Sequence, residues 1–186
     1  MLPLLTARAH RHLQVHSLSG PAAVQSQPAS VFGEDRVELS TPTLPALTPQ
    51  GFLPPGLHRC SWDEVASRFG QGSRRQELLA GMKPLLQLAA RHGGDFVYLG
   101  GSFVTSKPEP GDFDMTWRVS GQRLSELETL APLLVDRKLQ EKELGGQLMA
   151  TYPNSPGDGV LGFLRKNRAG REVGVAEIDL STLPRD

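Results

Sequence analysis

Residues 112–119 alternate without a break: Phe113, Met115, Trp117 and Val119 fall on one side of an extended chain, Asp112, Asp114, Thr116 and Arg118 on the other. A helix would scatter the four apolar side chains around its axis, so this period of two commits the stretch to a strand with one buried face. A second short apolar run precedes it, Asp95-Phe96-Val97-Tyr98-Leu99, and a Gly100-Gly101-Ser102 turn and a proline-broken loop, Lys107-Pro108-Glu109-Pro110, join the two. Asp112 and Asp114 therefore share one face of a half-buried strand, about 6.5–7 Å apart along the chain. Two unpaired carboxylates in that position are costly without a cation.

Paired in this way, they can converge on one divalent ion or bridge two. Gly100 and Gly101 let backbone approach a phosphate with no Cβ in the way, and Ser102 offers a hydroxyl beside amides able to form an anion nest. Lys107 can neutralise phosphate charge. Glu177 and Asp179 alternate with apolar neighbours in the run Val175-Ala176-Glu177-Ile178-Asp179-Leu180. If that strand lies beside 112–119, one of the two can face the aspartate pair as a third acid or a general base.

Ser61-Trp62-Asp63-Glu64 has the form of a capping box and predicts a helix ending near Phe69 and Gly70. Ser73-Arg74-Arg75-Gln76 repeats the signal, and Leu78, Leu79, Met82, Leu85, Leu86 and Ala89 then form one apolar stripe, with a kink expected at Pro84 and a stop at Gly93-Gly94. Further helices are expected over 131–143, with Pro132 in the first turn, and from Ser155-Pro156 to about 166. With strands at 96–99, 112–119, 147–152 and 172–180, the chain reads as an α/β (α+β) domain built on a small mixed sheet flanked by helices.

Lys plus Arg and Asp plus Glu number 20 each, so no net charge draws in nucleic acid or an anionic membrane, and a polyanion must be held locally. The lone Cys60 excludes an internal disulfide and a multi-cysteine zinc site and fits a reducing, cytoplasmic setting. No apolar run approaches the roughly 20 residues of a membrane span. Residues 17–50 lack either period and are rich in Ser, Pro, Ala, Thr and Gln, so residues 1–50 read as a disordered leader or a mis-called start, with the folded domain over 51–186. His10, His12 and His16 lie in that stretch, where a solvated tract is a better reading than a metal site.

The order of strand, Gly101-Ser102, a gap of ten residues, Asp112-Phe113-Asp114 and a distant carboxylate strand resembles the nucleotidyltransferase superfamily typified by DNA polymerase beta. Within it, Gly-Ser-Phe-Val-Thr-Ser-Lys at 101–107, Pro-Gly-Asp-Phe-Asp at 110–114, the entry Leu53-Pro54-Pro55-Gly56-Leu57-His58 and the helix with Arg75 look like small bacterial stand-alone nucleotidyltransferase-like proteins. The resemblance covers residues 51–186. It implies a minimal nucleotidyltransferase fold and attack of an acceptor hydroxyl on the α-phosphorus of a nucleoside triphosphate such as ATP, releasing pyrophosphate. It also implies that Gly101, Ser102 and Lys107 hold the nucleotide, while Asp112, Asp114 and Asp179, with Glu177 as the fallback, hold Mg2+ or Mn2+. The acceptor stays open among a protein side chain, a small molecule and an RNA end. Two alternatives stand beside the enzyme reading: an inactive nucleotidyltransferase-fold binding protein or antitoxin-like partner of a toxin, and a transferase using a nucleotide sugar.

Overall fold

The structure, a computed structural model, describes residues 43–119, 124–151 and 159–184. By packing, the chain divides into Met1–Glu38 and Leu39–Asp186, and all described residues belong to the second unit. Five strands form one mixed sheet: β1 (Gly56–Cys60), β2 (Phe96–Gly100), β3 (Asp114–Arg118), β4 (Gln147–Thr151) and β5 (Gly174–Asp179). Their order is β1-β5-β2-β3-β4. The central strand, β2, runs antiparallel to β5 and β3, while β1 with β5 and β3 with β4 are parallel pairs. Helices α1 (Trp62–Phe69), α2 (Ser73–Arg91), α3 (Leu124–Leu130), α4 (Arg137–Leu144) and α5 (Gly159–Leu164) complete the α/β architecture.

Register sorts the side chains onto two faces. Val97 pairs with Trp117 and Ile178, and Leu99 with Met115 and Ala176, and all six are buried. The α2 stripe of Leu78, Met82, Leu85, Leu86 and Ala89 belongs to the same core cluster, as the periodicity predicts. Each such leucine contributes about 1.5–3 kcal/mol by leaving water. The opposite face is only partly covered. There Leu164 of α5 lies against Gly100, where an added Cβ would stand 2.8 Å from Leu164 Cβ. Tyr98, Arg59, Arg118, Glu177 and Asp179 on that face retain solvent access.

Several expectations are corrected. Ser61 caps α1 by accepting from the Glu64 amide at 3.1 Å, but Glu64 does not return the bond. Its carboxylate accepts from the Leu44 amide instead, so packing begins before the expected boundary at residue 51: Leu44 is buried, and Arg68 donates to the carbonyls of Leu44 and Pro45. In α2 the cap position falls on Gly72, no side chain caps it, and Ser73 is the first helical residue. As expected, that helix runs on past Pro84, with Met82, Leu85 and Leu86 anchored in the core around it, and ends at Arg91 just before Gly93-Gly94. The helix expected over 131–143 breaks into a 3-10 turn, Pro132–Leu134, and α4. Asp136 intervenes as a new cap, accepting from the Leu139 amide at 3.0 Å. Strand β1 escaped notice because its Gly-Leu-His-Arg-Cys run is short and half polar. The final strand is shorter than 172–180: Glu172 only bridges Lys166, and Leu180 starts a 3-10 turn. The helix start expected at Ser155-Pro156 lies outside the described residues, as do His10, His12 and His16. Among the described residues no helix is long and apolar enough to cross a membrane.

One buried side chain ties α4 to the sheet. Gln140, fully buried, donates to the carbonyls of Leu133 (2.6 Å) and Leu148 (3.3 Å) and accepts from the Leu148 amide (2.7 Å). Gln140→Leu keeps the volume and strands all of these backbone groups, so a loss of about 3 kcal/mol is expected in urea unfolding. A loss below about 1 kcal/mol would show that α4 is held mainly by apolar contact.

Candidate active site

Gly101 follows β2 directly and opens a 3-10 turn, Gly101–Val104, at a φ of +67°. An L side chain is strained there, and space is lacking as well: a Cβ on Gly101 would stand 2.6 Å from Asp114 Oδ2. The partner of Gly100 across the β2–β3 ladder is Asp114, so the antiparallel register itself lays this carboxylate over the glycine turn. The two halves of the sequence motif thus meet in space. Gly101→Ala is expected to cost about 1–3 kcal/mol from the φ and the clash together. Asp114→Ala added to it should recover only the clash, and full additivity of the two changes in chemical denaturation would refute the contact.

Asp114 is half-buried, and its carboxyl ionises above the ordinary carboxylate range, first through burial and then through the charges of Asp112 and Glu141. Asp112 precedes β3, and its side chain is exposed. Ser102 Oγ is buried without a hydrogen-bond partner among the described residues, an arrangement that ordinarily costs about 1–3 kcal/mol. Its carbonyl accepts from Thr105 Oγ1 at 2.7 Å, which steadies the turn.

The remaining expected residues lie elsewhere. Strand β5 borders β2, not β3. Glu177 pairs with Tyr98, which pairs with Thr116, two residues along β3 from Asp114. Two strand spacings and two residues put the Asp114 and Glu177 backbones about 12 Å apart on one face, with Asp179 a further row away. Both acids already have partners. Arg59 Nε stands 4.0 Å from Glu177 Oε2 and 4.0 Å from Asp179 Oδ2, and burial together with the nearby Glu177 carboxylate raises the pKa of the Tyr98 hydroxyl above its ordinary value. Asp179 Oδ1 also accepts from the Ser181 amide (3.0 Å) and hydroxyl (2.6 Å). Asp179 and its fallback Glu177 therefore do not stand with the aspartate pair. Their strand alternation was legible, but the interposed β2 was not.

Lys107 lines a separate cavity, one that none of Gly101, Ser102, Asp112 or Asp114 borders. Glu141 on α4 was not anticipated. It reaches the Asp114 neighbourhood because its carboxylate takes a bond from Gln147, the β4 residue registered with Asp114. Arg75 was passed over as a structural element, although it stands three residues before Leu78 on the apolar stripe. It is buried and organises the loop between the two motif halves. Cys60 donates weakly to the Glu177 carbonyl (3.7 Å), and burial, with Glu64 and Glu177 nearby, pushes its thiol up to about 12. It is no nucleophile at neutral pH.

Among the described residues no group of three His, Cys, Asp or Glu side chains is placed to hold a metal by itself. Magnesium in nucleotide-handling sites is commonly held by one or two carboxylates with substrate phosphates completing the shell. Asp114, partly desolvated, with the exposed Asp112 beside it and the buried Ser102 hydroxyl nearby, fits that two-carboxylate pattern. Neither a curated protein nor a solved structure matches the chain. The profile of a protein family, described as a family of unknown function (DUF6932), matches residues 45–179, a stretch that takes in the Gly-Ser turn, the aspartate pair and all five strands. The chain belongs to that family.

Proposed function

We propose that the chain is a metal-dependent nucleotidyltransferase that moves a nucleoside monophosphate group from a nucleoside triphosphate to an acceptor hydroxyl. The single observation carrying this reading is the Asp114 carboxylate laid over Gly101, which joins a phosphate-approach turn and a carboxylate pair into one place. Asp112 and Asp114 would hold Mg2+ or Mn2+, which supplies charge neutralisation on the phosphates and on the attacking and leaving oxygens. Gly101, itself exposed, lets backbone come close to the triphosphate, and the Ser102 hydroxyl would donate to it by turning out of its buried position. The side-chain-free Gly100, with Leu164 packed on it, gives one side of the turn an apolar wall. Tyr98, Arg59, Glu177 and Asp179, farther along the same sheet face, form a polar surface suited to an acceptor, with Glu177 the nearer of the two acids for a base role.

The partnering of Glu177 and Asp179 by Arg59 favours a second reading, a protein that keeps nucleotide binding without turnover, as an antitoxin-like component would. Incubation with an α-phosphate-labelled triphosphate and Mg2+ or Mn2+, using bacterial extract as the source of acceptors, separates the two. The enzyme reading expects label transfer and pyrophosphate release that vanish with Asp114→Asn in the same extract. Metal-dependent nucleotide binding with no difference in release between parent and variant would sink it and leave the binding reading.

A further inference from the structure

The cavity beside Lys107 has a volume of about 520 Å3, within the range of small-molecule sites. Its lining includes Arg68, Arg74, Arg75 and Lys107 against a single acid, Glu109, an excess of three positive charges on a chain that is neutral as a whole. Basic side chains in a cleft are ordinarily offset by carboxylates. Here the guanidinium groups are held mostly by carbonyl oxygens, which orient a cation without neutralising it. Arg75 donates to the carbonyls of Phe69 (2.9 Å), Phe103 (2.8 Å), Thr105 (2.9 Å), Lys107 (2.6 Å) and Pro108 (3.3 Å) and stacks on the Phe103 ring. Arg68 donates to Leu44 and Pro45, and Arg74 donates to Pro110 and Gly111, with Glu77 as its one acidic contact. Cations that carboxylates offset only in part, around a concave, low-dielectric wall, focus a positive potential into it.

We propose that this cavity is a second binding site, for a phosphorylated small molecule of about nucleotide size, separate from the aspartate pair and independent of metal. The ammonium of Lys107 and the hydroxyls of Ser73 and Ser106 supply direct donors, while the fixed arginines supply field. Leu47 and Phe69 give the organic body an apolar wall. The same loop, through Thr105, Lys107 and Pro108, also connects the glycine turn to Asp112, so an occupied cavity steadies the segment that carries both halves of the candidate active site. The site does not depend on nucleotidyl transfer being the activity.

The test uses the full chain in EDTA, with adenosine monophosphate as the probe, adenosine as the uncharged control and inorganic phosphate as a competitor, followed by calorimetry. Adenosine monophosphate is expected to bind and adenosine not. Competition by inorganic phosphate would assign recognition to the phosphoryl group alone; its absence, with adenosine monophosphate still bound, would assign it to the whole phosphorylated molecule. Lys107→Ala and Ser73→Asp should each weaken binding at least about ten-fold. Ser73→Asp adds a carboxylate to the first turn of α2, where it favours the helix, so its loss of binding is not a loss of folding. Asp112→Asn and Asp114→Asn should bind as the parent does. Binding of adenosine as tight as that of its monophosphate, undiminished binding by Ser73→Asp, loss of binding in Asp114→Asn, or no binding of either probe would each overturn the proposal.

Discussion

Asp114→Asn is expected to lower the proposed nucleotidyl transfer about a thousand-fold while raising the melting temperature. Both effects have one cause. The carboxylate is half-buried beside Asp112 and Glu141, and the amide that replaces it has nearly the same shape with no charge to desolvate or repel. In the unfolded chain this group ionises in the ordinary carboxylate range, and in the folded chain it ionises higher. Between those two values the folded state binds more protons, so the Asp114 contribution to stability falls as pH rises through the window and stays lower above it. Parent and variant should therefore melt alike at pH values below the window and diverge above it, with the variant the more stable. Mg2+ or Mn2+ with nucleoside triphosphate should raise the melting temperature of the parent at neutral pH and leave Asp114→Asn nearly unmoved. A variant that turns over at the parental rate, or melts lower at neutral pH, would contradict the assignment of Asp114 to a cation site.

The largest stability effect should come from Arg75, which touches no acid. Five carbonyl oxygens from α1, the 3-10 turn and the following loop converge on its guanidinium, and burial pulls its pKa down from the usual arginine value. Arg75→Met fills much of the volume but leaves those carbonyls facing one another, for an expected loss of about 3–5 kcal/mol. In a folded unit of this size that amounts to a fall of about 10 °C or more in Tm. Arg75→Lys should not rescue it, because an ammonium offers three donors from one point where the guanidinium offers five in a plane. If the lysine variant melts within about 2 °C of the parent, charge alone matters and the fork geometry does not. The same loss should appear as faster proteolysis within 105–109, since that loop is what the guanidinium binds.

Much of the fold was readable from side-chain period. The strand with Met115 and Trp117, shorter than the expected 112–119, the α2 stripe and the Ser61 cap all depend on contacts within a few residues, and those are the contacts a local pattern encodes. Arg75 was singled out in the sequence only through the family resemblance, because nothing local names its five acceptors. The misses share a physical origin. Whether Asp136 or Pro132 starts α4 depends on which competing cap the core admits, and β1 is a strand only because β5 offers it a parallel ladder.

The candidate site divides along the same line. The sequence by itself determined that a glycine-serine turn and two aspartates border one half-buried strand pair, because spacing and alternation leave few other geometries. Only the tertiary structure decided which acids share that place. Strand order put β2 between β3 and β5, sending Glu177 and Asp179 to Arg59, and packing of α4 brought Glu141 near Asp114. Strand order depends on loop closure and on burial summed over the whole core, which no segment of the chain carries alone.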